Sequence, residues 1–231
     1  MALTATRRPI LGTPSARENF QSVYVCFAGL AVFALAAALM HAVQDLSPVD
    51  HALSYYMNGR LGWVFGLGLV ALGAGSIALL AAITKLPGAL GAKVGRGALA
   101  LWGAGAAIGG IFPPDPMGHW DEPPSMSGII HGSVAMVAFL ALPVAALRLS
   151  RLLGTFSGSP LLKPVLGGTA AASLASLLIF FACLAPVFSN RPPFLLGLVE
   201  RILITVYIGW IASAALAVQT AISRRLSPPR T

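Results

Sequence analysis

Apolar residues in this chain form long continuous runs that are separated by short polar stretches. The six runs lie at about 22–43, 61–84, 97–112, 127–147, 164–186 and 196–222. A run of roughly 20 apolar residues is long enough to cross the hydrocarbon layer as a helix. A helix satisfies its own backbone hydrogen bonds in lipid, and these runs do not alternate as barrel strands do. The pattern therefore predicts an all-α polytopic bundle with about six transmembrane spans.

The composition agrees with a membrane protein. Hydrophobic residues make up 57% of the chain, charged residues make up 10%, and the mean hydropathy is +0.82. Soluble domains carry roughly 25% charged residues, so this chain has too few charged side chains to cover a water-exposed surface. We expect one transmembrane domain over 22–222, between a basic tail at 1–21 and a short tail at 223–231.

The charged residues divide between the two sides of the predicted bundle. All 15 Lys and Arg residues except Arg60, Arg191 and Arg201 fall on the side that holds both termini. All seven acidic residues except Glu18 fall on or near the opposite side. By the positive-inside rule, both termini are predicted to lie in the cytoplasm, with the protein in the plasma membrane. Topology and contact with anionic lipid then explain the net charge of +8, and nucleic-acid binding is not needed.

Titratable side chains concentrate on the predicted outer side. All four histidines, His41, His51, His119 and His131, map to outer loops or to the outer halves of spans. Almost no titratable group maps to the middle of the membrane. This distribution argues against a proton-relay pump or a carrier with a charged site at the midplane. It favours a function that is located at the outer face of the membrane.

A short interfacial helix is predicted between the first two spans. Ser47, which precedes a proline, is typical of a helix N-cap, and an Asn-Gly pair ending at Gly59 is typical of a stop. On such a helix, Asp50 and Ser54 are four residues apart and share one face.

The stretch from Phe112 to His131, FPPDPMGHWDEPPSMSGIIH, is the richest polar run in the chain. Spans two, three and four have short connections and are expected to be neighbours. We therefore predict an outer polar pocket between these spans that binds a lipid-like or small ligand. Asp50, His51 and Ser127 are its predicted ligand-binding residues.

Nucleophilic catalysis is an alternative. Ser54 would be the nucleophile, His131 the base and Asp115 the group that orients the base, as acyl transfer requires. The protein would then be a membrane-embedded hydrolase or transferase that acts on a lipid-type substrate. The sequence supplies these residue types without a nucleophile elbow.

A bound divalent metal is a second chemical alternative, because mixed nitrogen and oxygen ligands suit zinc and similar ions. The candidate ligands are Asp115, His119, Asp121, Glu122 and His131, with His51 as a further donor. No HExxH or similar spacing is present. A bis-histidine haem would require His41 and His131 to face each other at similar depth in the bundle.

The same polar residues can also be explained without any activity, as helix caps and loop ties in a structural or accessory subunit. Asp115, for example, would bond loop amides or pair with Arg60. The Gly62-xxx-Gly66 and Gly105-xxx-Gly109 pairs are typical of close helix packing, within one chain or between chains. The oligomeric state stays open.

Three motifs occur in a characteristic order. The run SPVDHALSYYMNGRLGWVFGLGLVALGAGSIALL has an Asp-x-x-x-Ser pattern, Asp50 and Ser54, before a span. IGGIFPPDP has a Gly-x-Phe-Pro-x-Asp pattern ending at Asp115, and GIIHG begins the next span with His131. Over about 22–222, these motifs resemble the bacterial and archaeal membrane-protein family called domain of unknown function 998.

The resemblance implies a multi-span integral membrane protein, usually of six or seven helices, from a family without an established activity. It also singles out Ser54, Asp115 and His131. It implies no particular substrate, cofactor or partner beyond membrane lipid.

Overall fold

The computed structural model describes residues 14–86, 92–118, 122–186 and 193–226. These ranges contain six α-helices and one 3-10 helix, and they contain no strand. The elements are α1 (Pro14–Val43), the 3-10 helix (Leu53–Asn58), α2 (Gly62–Thr84), α3 (Lys93–Ile111), α4 (Met126–Ser157), α5 (Leu162–Leu184) and α6 (Leu196–Leu226). Each of the six α-helices is long and apolar enough to cross a membrane. The prediction of an all-α polytopic bundle is confirmed.

Helices α1 and α4 extend furthest beyond the predicted spans. Helix α4 continues past Arg148 and ends at Ser157, where Gly158 adopts a left-handed conformation with φ of 55°. A charged residue ends an apolar run, but it does not break the backbone hydrogen bonds of the helix. Helix α1 begins at Pro14, in the predicted tail, because proline is well tolerated in a first turn.

The predicted interfacial helix is a turn followed by the 3-10 helix. The Asp50 amide donates to Ser47 Oγ at 3.3 Å, and the Ser47 hydroxyl donates to Asp50 Oδ2 at 2.7 Å. Ser47 therefore caps a turn, and the 3-10 helix begins only at Leu53.

Each helix packs against the next in the chain, and α6 also contacts α1 and α4, which closes the ring. Helix α6 has the largest buried share of the six spans. The chain leaves α1, α3 and α5 at one end of the bundle, called here the cap end. It leaves α2 and α4 at the opposite end, called here the basic end.

Glycines bring neighbouring helices into backbone contact. A Cβ atom on Gly66 would lie 2.5 Å from the carbonyl oxygen of Gly110, and a Cβ on Gly110 would lie 2.5 Å from the carbonyl oxygen of Gly66. A Cβ on Gly105 would lie 2.8 Å from Ala138 Cβ. Only hydrogen fits at these positions, so Gly66 and Gly105 of the predicted small-residue pairs pack within the chain.

Pro143 lies inside α4 and removes the backbone hydrogen bond that the Phe139 carbonyl would otherwise accept. The hydroxyl of Tyr207 on α6 donates to that carbonyl at 2.7 Å. Tyr207 is fully buried, and its ring packs edge-on against Trp102 with centroids 5.3 Å apart. Because unsatisfied carbonyls are costly in lipid, this bond ties α6 to α4 at the level of the proline.

We predict that Tyr207→Phe lowers the free energy of unfolding by about 1–3 kcal/mol, since a buried carbonyl would lose its donor. In a Pro143→Ala background, the residue 143 amide supplies that donor, so the same substitution should cost less. Unfolding of both single variants and the double variant in micelles, by titration with a denaturing detergent, gives the two costs. Equal costs in the two backgrounds would contradict this role of Tyr207.

Candidate functional site

Residues 47–58, called here the cap segment, lie against the first turns of α6. The Leu198 amide donates to the Val49 carbonyl at 3.0 Å. The Leu53 amide donates to Glu200 Oε2 at 2.6 Å. Gly197 lies so close to the segment that a Cβ there would meet two of its carbonyl oxygens. The start of α6 therefore supplies both a donor and an acceptor to the cap segment.

Arg201 makes the most extensive side-chain contacts with this segment. Its Nη1 donates to the His51 carbonyl at 2.7 Å, and its Nη2 donates to the Tyr56 hydroxyl at 3.2 Å. Its Nε donates to His41 Nε2 at 3.0 Å, which accepts because His41 Nδ1 lies 2.8 Å from the Ala37 carbonyl. The planar guanidinium thus holds α1, the cap segment and α6 together.

A cavity of about 260 Å³ lies inside the bundle beside the cap segment. This is close to the lower end of the range of roughly 300–1,000 Å³ for small-molecule sites. Its wall is mostly apolar, and its aromatic residues include Phe33, Phe65, Trp102, Phe139 and Phe180. The sequence predicted a pocket between spans two to four. Those spans do line this cavity, but α1, α5, α6 and the cap segment line it as well.

Four polar side chains with acid–base capacity line the cavity. Ser54 and Tyr55 come from the cap segment, His131 from α4 and Glu200 from α6. His131 and Glu200 are only 8% and 7% exposed. The described residues of the wall include no Lys or Arg. The wall is therefore an apolar surface with one acid and no strongly basic group.

The hydrogen bonds of His131 determine which ring nitrogen is available. Nδ1 lies 2.7 Å from the Phe112 carbonyl and 3.1 Å from the Gly109 carbonyl. Carbonyl oxygens only accept, so Nδ1 carries the hydrogen, and Nε2 of the neutral ring is left as an acceptor. The end of α3 thus orients a histidine whose basic nitrogen is not used by these bonds.

Glu200 is the site residue that sequence reasoning did not select. Its Oε2 accepts from Leu53, and no basic nitrogen of the described residues lies within 4.0 Å of its carboxylate. The neighbouring Arg201 is directed to the cap segment instead. A signal was present in the sequence, because ionisable residues one turn into an apolar run are expensive in lipid and mark a function by default.

Tyr55 of the cap segment is influenced by the charge of Glu200. Burial, and then the negative charge of Glu200, raise the pKa of the Tyr55 hydroxyl to about 12. The phenol is therefore neutral at physiological pH and can donate a hydrogen bond.

Asp115, predicted to orient the base, contacts the start of α4. Its Oδ2 accepts from the Ser125 amide at 3.0 Å. Ser125 in turn caps α4 by accepting from the Gly128 amide at 3.0 Å, and the Ser127 hydroxyl donates to a loop carbonyl at 2.7 Å. A carboxylate is favoured at this position by the helix dipole. Asp115 and Ser127 thus tie the connection after α3 to α4.

The predicted triad remains a prediction. Among the described residues, no hydrogen bond joins Asp115 to His131 or His131 to Ser54, and the Ser54 hydroxyl makes none. The cavity nevertheless brings Ser54 and His131 to one wall, whereas Asp115 is not part of it.

The other predicted ligand-binding residues lie outside the cavity wall. Asp50 is exposed and bonded to Ser47. His51 is half-buried, and its Nδ1 is buried without a partner in the described part of the chain.

The metal hypothesis depends partly on His119 and Asp121, which lie outside the described residues. Within the described ranges, no three His, Cys, Asp or Glu residues are grouped so that they could hold a metal ion. For the haem hypothesis, both ring nitrogens of His41 are engaged by other groups, as is Nδ1 of His131.

Six long apolar helices packed around one hydrophobic core define a multi-pass helical membrane protein. The chain belongs to the family described as "Protein of unknown function (DUF998)", whose family model matches residues 27–217. The resemblance inferred from the motifs is thereby confirmed. Neither a curated protein nor a solved structure matches the chain.

Proposed function

We propose that the protein binds a small lipid-like molecule in the cavity at the cap end. The gradient of polarity along the cavity carries this proposal. His131 and Glu200 both lie in the second turns of their helices, and Ser54 lies on the cap segment, so the polar groups are at the cap end. Trp102 and Phe139 lie deeper along α3 and α4. Such a wall suits an amphiphile whose head is at the cap end and whose chain points into the bundle.

We predict that 1-decanol raises the melting temperature of the purified protein in nanodiscs, because a ligand that binds only the folded state stabilises it. Ala135→Phe places a ring in the cavity wall and should abolish the shift. Ala34→Phe, on the exposed face of α1, is the matched control and should keep it. Equal shifts in all three proteins would mean that decanol acts through the bilayer, and the proposal would fail.

We further propose that the cap end faces outward and that both termini lie in the cytoplasm, with the protein in the plasma membrane. The basic end carries Lys93, Arg148, Arg151 and Arg224, and cytoplasmic loops are enriched in such residues. Anionic lipid on that side favours the same orientation.

The orientation predicts opposite labelling of two exposed positions, Asp45 at the cap end and Arg151 at the basic end. In a Cys26→Ser, Cys183→Ser background, Asp45→Cys should react with a membrane-impermeant maleimide on intact cells. Arg151→Cys should react only after permeabilisation. The reverse pattern would place the termini outside.

Hydrolase or transferase activity on a lipid-type substrate is the second candidate function. It is favoured by the hydrogen bonds of His131, which leave Nε2 of the neutral ring as an acceptor, and by Ser54, which lines the same cavity. The carbonyls of Gly109 and Phe112 would then orient the ring, in the role first assigned to Asp115. An accessory subunit without chemistry is the remaining class.

This second candidate predicts that a fluorophosphonate probe labels the wild-type protein and that Ser54→Ala and His131→Gln abolish the labelling. Ser127→Ala, at a hydroxyl bonded outside the cavity, should keep it. Absence of labelling in the wild type, or labelling that persists in Ser54→Ala, would exclude Ser54 as the nucleophile.

A further inference from the structure

We infer that the cavity selects a ligand with a protonated amine as its head, held by the carboxylate of Glu200. The inference rests on the proposed ligand binding and names the class of molecule that binds. It is carried by a buried carboxyl group that lines the cavity and has no basic nitrogen within 4.0 Å among the described residues.

The charged residues of the cavity wall disfavour a ligand with an anionic head group. Glu200 is the one acid among the described lining residues, and none of them is Lys or Arg. A fatty-acid carboxylate or a phosphate would therefore place a negative charge beside a buried acid, in a cavity whose described lining carries no Lys or Arg, which is unfavourable.

Arg201 forms no close ion pair with Glu200 among the described contacts. Its three nitrogens are bonded to His41, His51, Gly197 and Tyr56, and its guanidinium lies 5.6 Å from the centre of the Tyr56 ring. It is absent from the cavity wall. Glu200 and Arg201 are adjacent on α6, yet Glu200 lines the cavity and Arg201 bonds to the cap segment.

The hydrogen-bond acceptors at the cap end of the cavity suit the N–H donors of an ammonium group. Only Oε2 of Glu200 is used, by the Leu53 amide, so Oε1 has no hydrogen bond in the described part of the chain. His131 presents Nε2 as an acceptor, and Ser54 adds a hydroxyl oxygen. A primary ammonium has three N–H donors and no acceptor. It can satisfy such groups and also neutralise the carboxylate.

The aromatic wall adds a second attraction for a cation. Phe65, in the first turn of α2, lines the cavity near the cap end, and the faces of aromatic rings attract ammonium groups that have lost their water. Phe33 and Trp102 line the cavity deeper in the bundle. The same rings accommodate an alkyl chain. A small amphiphilic amine therefore fits both parts of the wall, whereas an alcohol fits the chain but leaves the carboxylate uncompensated.

The test compares three probes with the same chain, decylamine, 1-decanol and decanoate, in nanodiscs of zwitterionic phosphatidylcholine at pH 7. Thermal shifts over a concentration series give the apparent Kd of each probe. We expect decylamine to bind roughly tenfold or more tightly than decanol, as for a charge-assisted hydrogen bond, and decanoate to bind most weakly.

Glu200→Gln removes the charge and keeps an oxygen that can accept from Leu53. In this variant, decylamine should bind no more tightly than decanol, while decanol binding is kept. Asp45→Asn removes an exposed acid at the same end of the bundle and should keep the preference for the amine. The order of the three probes on the wild-type protein tests the inference even if Glu200→Gln does not fold.

Two outcomes would overturn the inference in different ways. If decanol binds as tightly as decylamine in the wild type, or if Glu200→Gln keeps the preference, ligand binding stands and the amine assignment is wrong. If none of the three probes shifts the melting temperature, the proposed ligand binding fails and the amine assignment fails with it.

Discussion

The attachment of the cap segment to the first turns of α6 is the constraint on which the cap end depends. The Leu198 amide donates a hydrogen bond to the segment, the Glu200 carboxylate accepts one from it, and the Arg201 guanidinium donates another to it. Neighbouring side chains on a helix point about 100° apart, so Glu200 and Arg201 face different parts of the protein. Arg201 holds the segment together, and Glu200 lines the cavity. Each of the two ionisable side chains thereby obtains polar contacts within the protein.

This attachment holds residues 52–55, which form part of the cavity wall. Leu61 and Leu195, just before α2 and α6, have φ of 59° and 51°, and this left-handed conformation costs roughly 1–2 kcal/mol for a residue with a side chain. Gln44 adds bonds of 2.9 Å to the carbonyls of Tyr56 and Arg60. These contacts offset the strain of two sharp entries into helices, and they place the polar head of the site at one end of an apolar bundle.

Much of the fold could be predicted from the sequence, because spanning a membrane is a local property. Twenty apolar residues in a row indicate a helix whatever they pack against. The residues of the site could not be predicted in the same way. Leu53 and Glu200 are joined only by the folded ring of helices, and no periodic signal connects them. Asp115 and His131 were selected from one conspicuous run, yet the hydrogen bond described for Asp115 joins it to the Ser125 amide, just before α4, and not to His131. His131 lies near the cap end, in the second turn of α4, but the carbonyls that orient its ring could not be predicted from spacing.

Hydrogen exchange of the cap segment in Arg201→Lys tests most directly whether α6 holds it. Lysine keeps the charge but lacks the planar fork that reaches His41, His51 and Tyr56 together. Arg60→Lys, an exposed change nearby, is the control. We expect faster exchange in residues 47–58 of Arg201→Lys only, with α2 and α3 unchanged. Unchanged exchange in that segment, or an equal rise over the whole bundle, would contradict the account.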